Sequence, residues 1–327
     1  MRAPLDRLGR LLRPAGPGPY EFAGGTAVVT GAAGGIGRAL ARELARRGSA
    51  LVLLDRDGAG LAALSAELRG RHPGLAVDAR TVDLADGAAA TATAEAVRAD
   101  HERITLLVNN AGVALGGEFG QVSPEEFCWL LEVNLVATVR VTSALLPALL
   151  ASPGSHVVNT SSLFGLVAPA GQVAYATSKF GVRGFSEALR AELAPAGVGV
   201  TCVHPGGVAT AIARDARLGS GVDPERGRAE QLGFQALLRM PPEVAAAAVL
   251  EGVRRRRARV LIGPETLAAD LVARVAPASH QALLAAVTRL AVRRGRTRPH
   301  RPDRGRPGGA AAPGAVAADT GSSPARS

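Results

Sequence analysis

The chain has 327 residues, of which 47% are apolar but only 3% aromatic, so its core has to be built from Ala, Val and Leu. That is enough apolar surface for a stable globular fold of one large or two small domains. The formal charge of +10 sits mostly at the ends, +3 in residues 1–20 and +6 in 293–306, which leaves the body near neutral and argues against a specific nucleic-acid interface.

The predicted elements begin after an N-terminal arm, residues 1–20, where Leu5, Leu8, Leu11 and Leu12 give a short amphipathic stretch. From Thr26 strand alternates with helix. Strands are expected at Thr26–Thr30, Ala50–Asp55, Ala76–Asp83, Ile104–Asn109, His156–Thr160, Val198–His204 and Arg259–Ile262. Several are continuous apolar runs, as parallel strands buried on both faces should be. Helices are expected at about 35–47, 58–69, 86–100, 124–150, 174–194 and 242–254. Ser123-Pro124-Glu125-Glu126 opens the fourth, with Ser as N-cap, Pro in the first position and Glu126 closing a capping box. The alternation predicts an α/β fold, a doubly wound parallel seven-stranded sheet in a single Rossmann-like domain over 21–264.

Residues 211–240 break the alternation, and Leu163, Phe164, Leu166, Val167, Leu218, Phe234 and Leu237 suggest an apolar substrate pocket. Arg254–Arg257 is expected to be a solvated helix C-terminus, where cations suit the dipole. Two amphipathic stretches, about 265–275 and 278–292, form a C-terminal helical extension, and 293–327 is expected to be a disordered basic tail. Stretches 1–13 and 265–292 either dock on the body or touch a membrane surface.

Cys128 and Cys202 lie far apart, which excludes a disulfide framework and fits a reducing cytoplasm. The six histidines show no metal-ligand spacing. No apolar run is expected to reach the ~20 residues of a membrane span, because Glu132, Asn134 and Arg140 interrupt Leu130–Leu150. The N-terminus also lacks a signal-peptide core. These features predict a soluble, cytoplasmic protein.

The first strand runs into Thr30-Gly31-Ala32-Ala33-Gly34-Gly35-Ile36-Gly37 and then a helix. Glycines there let a pyrophosphate approach the backbone, and the helix N-terminus offers N–H groups and a positive dipole end. Gly31, Gly35, Ile36 and Gly37 are therefore candidate dinucleotide contacts. Asp55, 24 residues after Gly31, ends the second strand, where a carboxylate meets the adenosine ribose in such folds. Arg56 beside it could pair a 2′-phosphate, but the glycine turn holds no basic residue to help, so NAD is favoured over NADP. Asp83 ends the third strand and is a candidate partner of the adenine amino group. Asn110, Ala111 and Gly112, following Asn109, end the fourth at the ligand crevice.

Tyr175-Ala176-Thr177-Ser178-Lys179 lies on a predicted helix, so phenol and ammonium share one face. A phenol of pKa ~10 is a poor base at neutral pH. A cation ~4 Å away at an effective dielectric near 20 stabilises phenolate by up to about 4 kcal/mol, lowering that pKa by as much as about two to three units. Lys179 is the only lysine among 38 basic residues. A chain that otherwise uses arginine places a compact ammonium four residues after one of its two tyrosines.

Thr-Gly-x-x-x-Gly-Ile-Gly, Asn-Asn-Ala-Gly, a Ser thirteen residues before Tyr-x-x-x-Lys, and a following Pro-Gly resemble the short-chain dehydrogenase/reductase family, in its single-domain branch, over about 24–264. The resemblance implies an NAD(P)-dependent oxidoreductase acting on a carbonyl or secondary alcohol. In it Tyr175 is the general acid/base, and Lys179 lowers its pKa and holds the nicotinamide ribose. Ser162, favoured over Ser161 by the spacing, bonds the substrate oxygen, and Asn134 holds a water linking Lys179 to solvent. The resemblance also makes Pro205, Val208 and Thr210 part of a loop that cups the nicotinamide, and it implies a homo-dimer or tetramer. A nucleotide-sensing binding protein is the first alternative, against which the intact Tyr175, Lys179 and Ser162 argue. An epimerase or dehydratase is the second, and it normally carries a larger C-terminal domain.

Overall fold

A computed structural model describes residues 18–282. Most of the arm, the later part of the extension and the whole basic tail lie outside the described residues.

The seven expected strands form one parallel sheet. They are β1 (Thr26–Thr30), β2 (Ala50–Asp55), β3 (Val77–Thr81), β4 (Ile104–Asn109), β5 (His156–Thr160), β6 (Gly199–Pro205) and β7 (Arg259–Ile262). The spatial order is β3-β2-β1-β4-β5-β6-β7, so the chain reverses its direction of travel between β1 and β4. Crevices at such reversals, at the C-terminal ends of the strands, are where doubly wound sheets bind ligands.

Strand side chains alternate between two apolar layers because the strand period is two. Ala27 and Val29 face helices α1 (Gly35–Arg46), α2 (Gly58–Arg71) and α8 (Pro242–Arg254), through Leu40, Leu44, Leu61, Leu64 and Val249. Val28 faces the opposite layer with α3 (Gly87–Asp100), α5 (Ala137–Ala151) and α6 (Val173–Leu193), through Val97, Val141, Leu145 and Leu189. With few aromatics available, both layers are filled mainly by Ala, Val and Leu, with Tyr20 and Phe22 at the edge of the first.

The expected helix over 124–150 is composite. It comprises α4 (Pro124–Leu131), a π-helical turn (Glu132–Val136) and α5. Its start is the predicted capping box: Glu126 N–H donates to Ser123 Oγ at 3.2 Å, and Ser123 N–H to Glu126 Oε2 at 2.8 Å. Joined end to end, Pro124–Ala151 spans 28 residues and contains an 18-residue window of mean hydropathy 1.6, long and apolar enough for a membrane by length and composition alone. That corrects the expectation from interrupted runs. Here the helix packs in the core through Leu130, Val141, Leu145 and Leu149, and carries a Glu132–Arg140 ion pair.

Residues 211–240 form a cap holding α7 (Pro224–Gln235). One end is tied down by a parallel pairing of Leu115–Gly116 with Arg217–Leu218, and by the Arg217 guanidinium stacked 3.7 Å over Trp129. After β7 comes α9 (Pro264–Val275), as expected for the start of the extension. Arg254–Arg257 departs from expectation. Arg254 and Arg255 pair with Glu251 at the surface, but Arg256 turns inward and donates to the Gly18 and Gly154 carbonyls. Carbonyls left at loop ends capture it.

A buried polar chain crosses the sheet beneath the crevice. Asn109 Nδ2 donates to Thr142 Oγ1 and Asn159 Oδ1, both at 2.9 Å, and Asn159 Nδ2 donates to Ser186 Oγ at 3.0 Å. Asn159 is fully buried. Asn159→Ala should therefore strand two polar partners and cost about 1–3 kcal/mol. Urea unfolding measures this, and an unchanged midpoint would show that the chain contributes nothing to stability.

Candidate active site

The glycine turn and the Asn-Asn-Ala-Gly segment are locked together at the reversal. Thr30 Oγ1, at the end of β1, accepts from Asn110 N–H and Ala111 N–H, each at 3.0 Å. Asn110 Nδ2 returns a bond to Thr30 O at 3.1 Å. Gly31 has φ +65°, and a Cβ on Gly37 would collide with the Gly31 carbonyl. Only glycines close this turn. Ile36 packs half-buried against the core. Helix α1 starts from Gly34 with no side-chain cap and no acidic residue in its first turn. Among the described residues, no carboxylate is hydrogen-bonded to its leading N–H groups, which fits an anionic pyrophosphate.

Asp55 lies beside this turn. Its carboxylate accepts from Ala33 N–H at 2.9 Å and from Asp57 N–H at 3.0 Å, tying the end of β2 to the glycine turn. Arg56 is exposed. Asp83 lies two residues past β3, not at its end, and caps its own loop by accepting from Ala85 N–H. Across the crevice, Thr210 lies against Gly35, where an added Cβ would be 3.0 Å from the Thr210 methyl. Val208 is buried and bridges Met240. The loop from Pro205 through Val208 to Thr210 thus faces the glycine turn across the crevice.

The second cluster forms where β5 ends against α6. Ser161 and Ser162 diverge. Ser161 Oγ is buried and donates to the Lys179 carbonyl at 2.8 Å, whereas Ser162 Oγ accepts from Phe164 N–H at 3.1 Å and lies on the Tyr175 side, where it opposes the rise of the phenol pKa. The thirteen-residue spacing therefore picks the serine that meets Tyr175. Phe164 packs edge-on to Tyr175 with ring centroids 6.1 Å apart, and stacks with Phe234 of the cap at 6.5 Å. Of the other residues expected in an apolar pocket, Leu166 and Val167 are buried and Leu237 is exposed.

Lys179 is 2% exposed, with Nζ donating to Thr160 O at 3.0 Å and lying 5.7 Å from the Tyr175 ring centroid. Asn134 sits inside the π turn, where the local widening of the helix is typical of functional positions. Its Oδ1 accepts from Val113 N–H at 2.8 Å, and its Nδ2 donates to Val113 O and to Ser178 Oγ. A Cβ on Gly112 would be 3.3 Å from both Asn134 Oδ1 and Lys179 Nζ, so Gly112 fills the narrow place between them.

In the ligand-free protein burial governs the titration of both groups. Burial pushes Tyr175 above its usual value, opposed only by the Ser162 hydrogen bond. Burial also pulls Lys179 down to about 8. Two ionisable groups share a poorly solvated pocket, with the ammonium directed at the Thr160 carbonyl, and desolvation is the largest effect on each.

Sequence reasoning missed Thr30, Ser178 and His204. Ser178 bridges Asn134 and the Tyr175 carbonyl. Its signal was its place inside the Tyr–Lys spacing. His204 is fully buried and held neutral by burial, with a pKa near 4, and its Nδ1–H donates to Ser162 O at 3.0 Å. An apolar strand gave no reason to single it out.

The depressed Lys179 value has a stability consequence. Above the ordinary lysine pKa of 10.5 its burial costs little, because both folded and unfolded forms are neutral. As pH falls from there towards about 8 the unfolded chain binds the proton first, and stability declines across that window. Because Lys179 is the chain's one lysine, ¹³C-lysine NMR gives a single side-chain signal. It should titrate near 8 in the ligand-free protein, and a midpoint above 10 would contradict the burial argument.

The profile of the short chain dehydrogenase family matches residues 25–220. The oxidoreductase SadH of Mycobacterium tuberculosis is 42% identical over 268 residues, covering 81% of this chain and 96% of SadH. A short-chain dehydrogenase/reductase from Burkholderia phymatum, solved with NAD, aligns at TM-score 0.71 and 30% identity over 77% of this chain and 94% of its own. One from Sphingobium yanoikuyae, solved with NADPH, aligns at TM-score 0.64 and 30% identity over 86% and 98%. A glycine turn, a Tyr–Ser–Lys cluster and a strand order that fit the family thus coincide with a profile match over more than half the chain, and the protein belongs to the short-chain dehydrogenase/reductase family.

Proposed function

We propose that Tyr175 moves the proton in the reaction of this NAD(P)-dependent oxidoreductase, which interconverts a secondary alcohol and a carbonyl. The observation that carries this reading is Tyr175 lying 5.7 Å from the Nζ of a buried Lys179 and packed on Phe164, whose N–H holds Ser162 Oγ, across the crevice from an uncapped helix N-terminus. Gly31, Gly35, Ile36 and Gly37 would hold the pyrophosphate, Asp55 the adenosine ribose, and Asn110, Ala111, Gly112, Pro205, Val208 and Thr210 the nicotinamide half. Asp83, in its own capped loop, would reach the adenine. The nicotinamide, when bound, supplies the hydride acceptor or donor.

Ser162 holds the substrate oxygen and Tyr175 exchanges a proton with it. In reduction the phenol donates to the carbonyl oxygen, a direction favoured by the raised Tyr175 pKa. In oxidation phenolate must form, and Lys179 is the nearby cation that would stabilise it, provided pH stays below about 8 in the ligand-free state. Asn134 and Ser178 hold the π turn near Lys179, where a water would pass protons to solvent. Phe164 and Phe234 line the approach to Tyr175, which suits an apolar substrate.

We also infer a homo-dimer or tetramer. Phe180 and Val139 are exposed on α6 and α5, and Phe127, Leu131, Leu135 and Phe185 are only half-buried, leaving apolar surface for a second copy. The composition and cysteine usage support a cytoplasmic enzyme.

Two experiments test the reading. Tyr175→Phe should lower turnover by about 10²–10⁴-fold while NADH still binds, and near-normal turnover of that variant would sink the assignment. For the cofactor, the Asp55 carboxylate favours the free ribose hydroxyls of NAD over a like-charged 2′-phosphate. Ratios of kcat/KM should favour NAD, and Asp55→Ala should narrow the gap. A wild type preferring NADPH would make the exposed Arg56 the reader instead.

A further inference from the structure

The Pro205–Thr210 loop is held by a carboxylate that none of the motifs includes. Gly207 N–H donates to Glu265 Oε1 at 2.8 Å, from the first turn of α9. Gly206 N–H donates to Ile262 O at 2.9 Å, so the loop runs directly alongside the β7–α9 junction. A Cβ on Gly206 would fall on the Glu265 carboxylate, and one on Gly263 would come within 2.5 Å of the same oxygen. Three glycines therefore line one side of the exposed Glu265 side chain, and the missing Cβ atoms of Gly206 and Gly263 leave room for its carboxylate. The base of that side chain is fixed as well. Thr266 is fully buried, and its hydroxyl donates to Ile262 O at 3.0 Å.

Gly207 is also gripped from the other side. Its carbonyl accepts from Arg239 N–H and Met240 N–H, both at 3.0 Å, at the end of the cap, and Ala209 N–H donates to Met240 O at 2.8 Å. One residue, Gly207, thus joins the cap, the loop facing the glycine turn, and the helix that follows the last strand.

We propose that Glu265 is a positioning residue: by accepting from Gly207 N–H it fixes the Pro205–Thr210 loop in the conformation that receives the cofactor. The inference rests on the reading of that loop as the nicotinamide contact. The competing explanation is that Glu265 merely complements the dipole of α9, as acidic residues in a first helical turn do. The two differ in what glutamine does. Glu265→Gln keeps an oxygen for Gly207 N–H but loses the charge, whereas Glu265→Ala loses both.

Amide hydrogen exchange on the ligand-free protein reads the loop without reference to activity. Glu265→Ala should speed exchange at residues 206–210 by about tenfold and weaken NADH binding, followed by fluorescence, by about three- to tenfold. Glu265→Gln should stay close to wild type in both. Should Glu265→Ala fold poorly, Gly206→Ala, whose methyl would displace the carboxylate, is expected to reproduce both effects. Unchanged exchange in Glu265→Ala, or faster exchange with unchanged NADH affinity, would overturn the proposal. So would a Glu265→Gln variant as impaired as Glu265→Ala, which would favour the dipole explanation. A wild type that binds neither NADH nor NADPH would overturn the site reading and this inference with it. Failure in the variants alone touches only Glu265.

Discussion

An ammonium group almost wholly withdrawn from water is the constraint around which this site is arranged. Removing a lysine from solvent is costly unless acceptors are supplied, and Lys179 has the Thr160 carbonyl as its hydrogen-bonding partner. Thr160 is the last residue of β5, so the strand must end at that depth for the carbonyl to be free. The Lys179 main chain is in turn held by Ser161, the residue after that strand end. Tyr175, one helical turn earlier, is thereby brought to Ser162. The π turn in the neighbouring helix brings Asn134 to the same place, near enough that a Cβ on Gly112 would lie 3.3 Å from both Asn134 Oδ1 and Lys179 Nζ. Strand end, helix register and helix defect are three parts of one solution to one desolvated charge.

Much of the fold was legible because parallel strands buried on both faces announce themselves as apolar runs, and glycines and capping residues mark the joints between elements. The Ser123 box is a clear case: two short-range hydrogen bonds set a helix start that needs no tertiary context. The catalytic spacing was legible for the same local reason, since i, i+4 on a helix fixes which side chains share a face. What stayed hidden depends on distance in sequence. Thr30 acts on Asn110 and Ala111 across two strands, and His204 reaches Ser162 from the next strand over. Neither pairing leaves a local signature. The π turn was hidden as well, because its residues are compatible with an ordinary α-helix.

The direction of the pKa shifts shows where spacing alone misleads. A cation four residues from a phenol suggests attraction, and attraction would dominate at a half-solvated surface. In a pocket closed by Phe164 and by the strand ends, the loss of hydration is the larger effect, and each group is pushed towards its neutral form. The balance between these effects is set by the depth of the pocket, which no spacing in the chain encodes.

The scarcity of lysine has a consequence for how motion in this protein can be followed. Every other cation along the chain is an arginine, which acylating reagents leave alone, and Lys179 is shielded by its own pocket. A reagent must wait for the pocket to open before it meets a side-chain amine, so the rate of lysine acylation counts openings of the site. When reclosing is fast, that rate divided by the rate for a free lysine is the population of the open state, and hence its free energy. The chain carries a built-in clock for the breathing of its own catalytic crevice, readable by mass spectrometry from one side-chain acylation site.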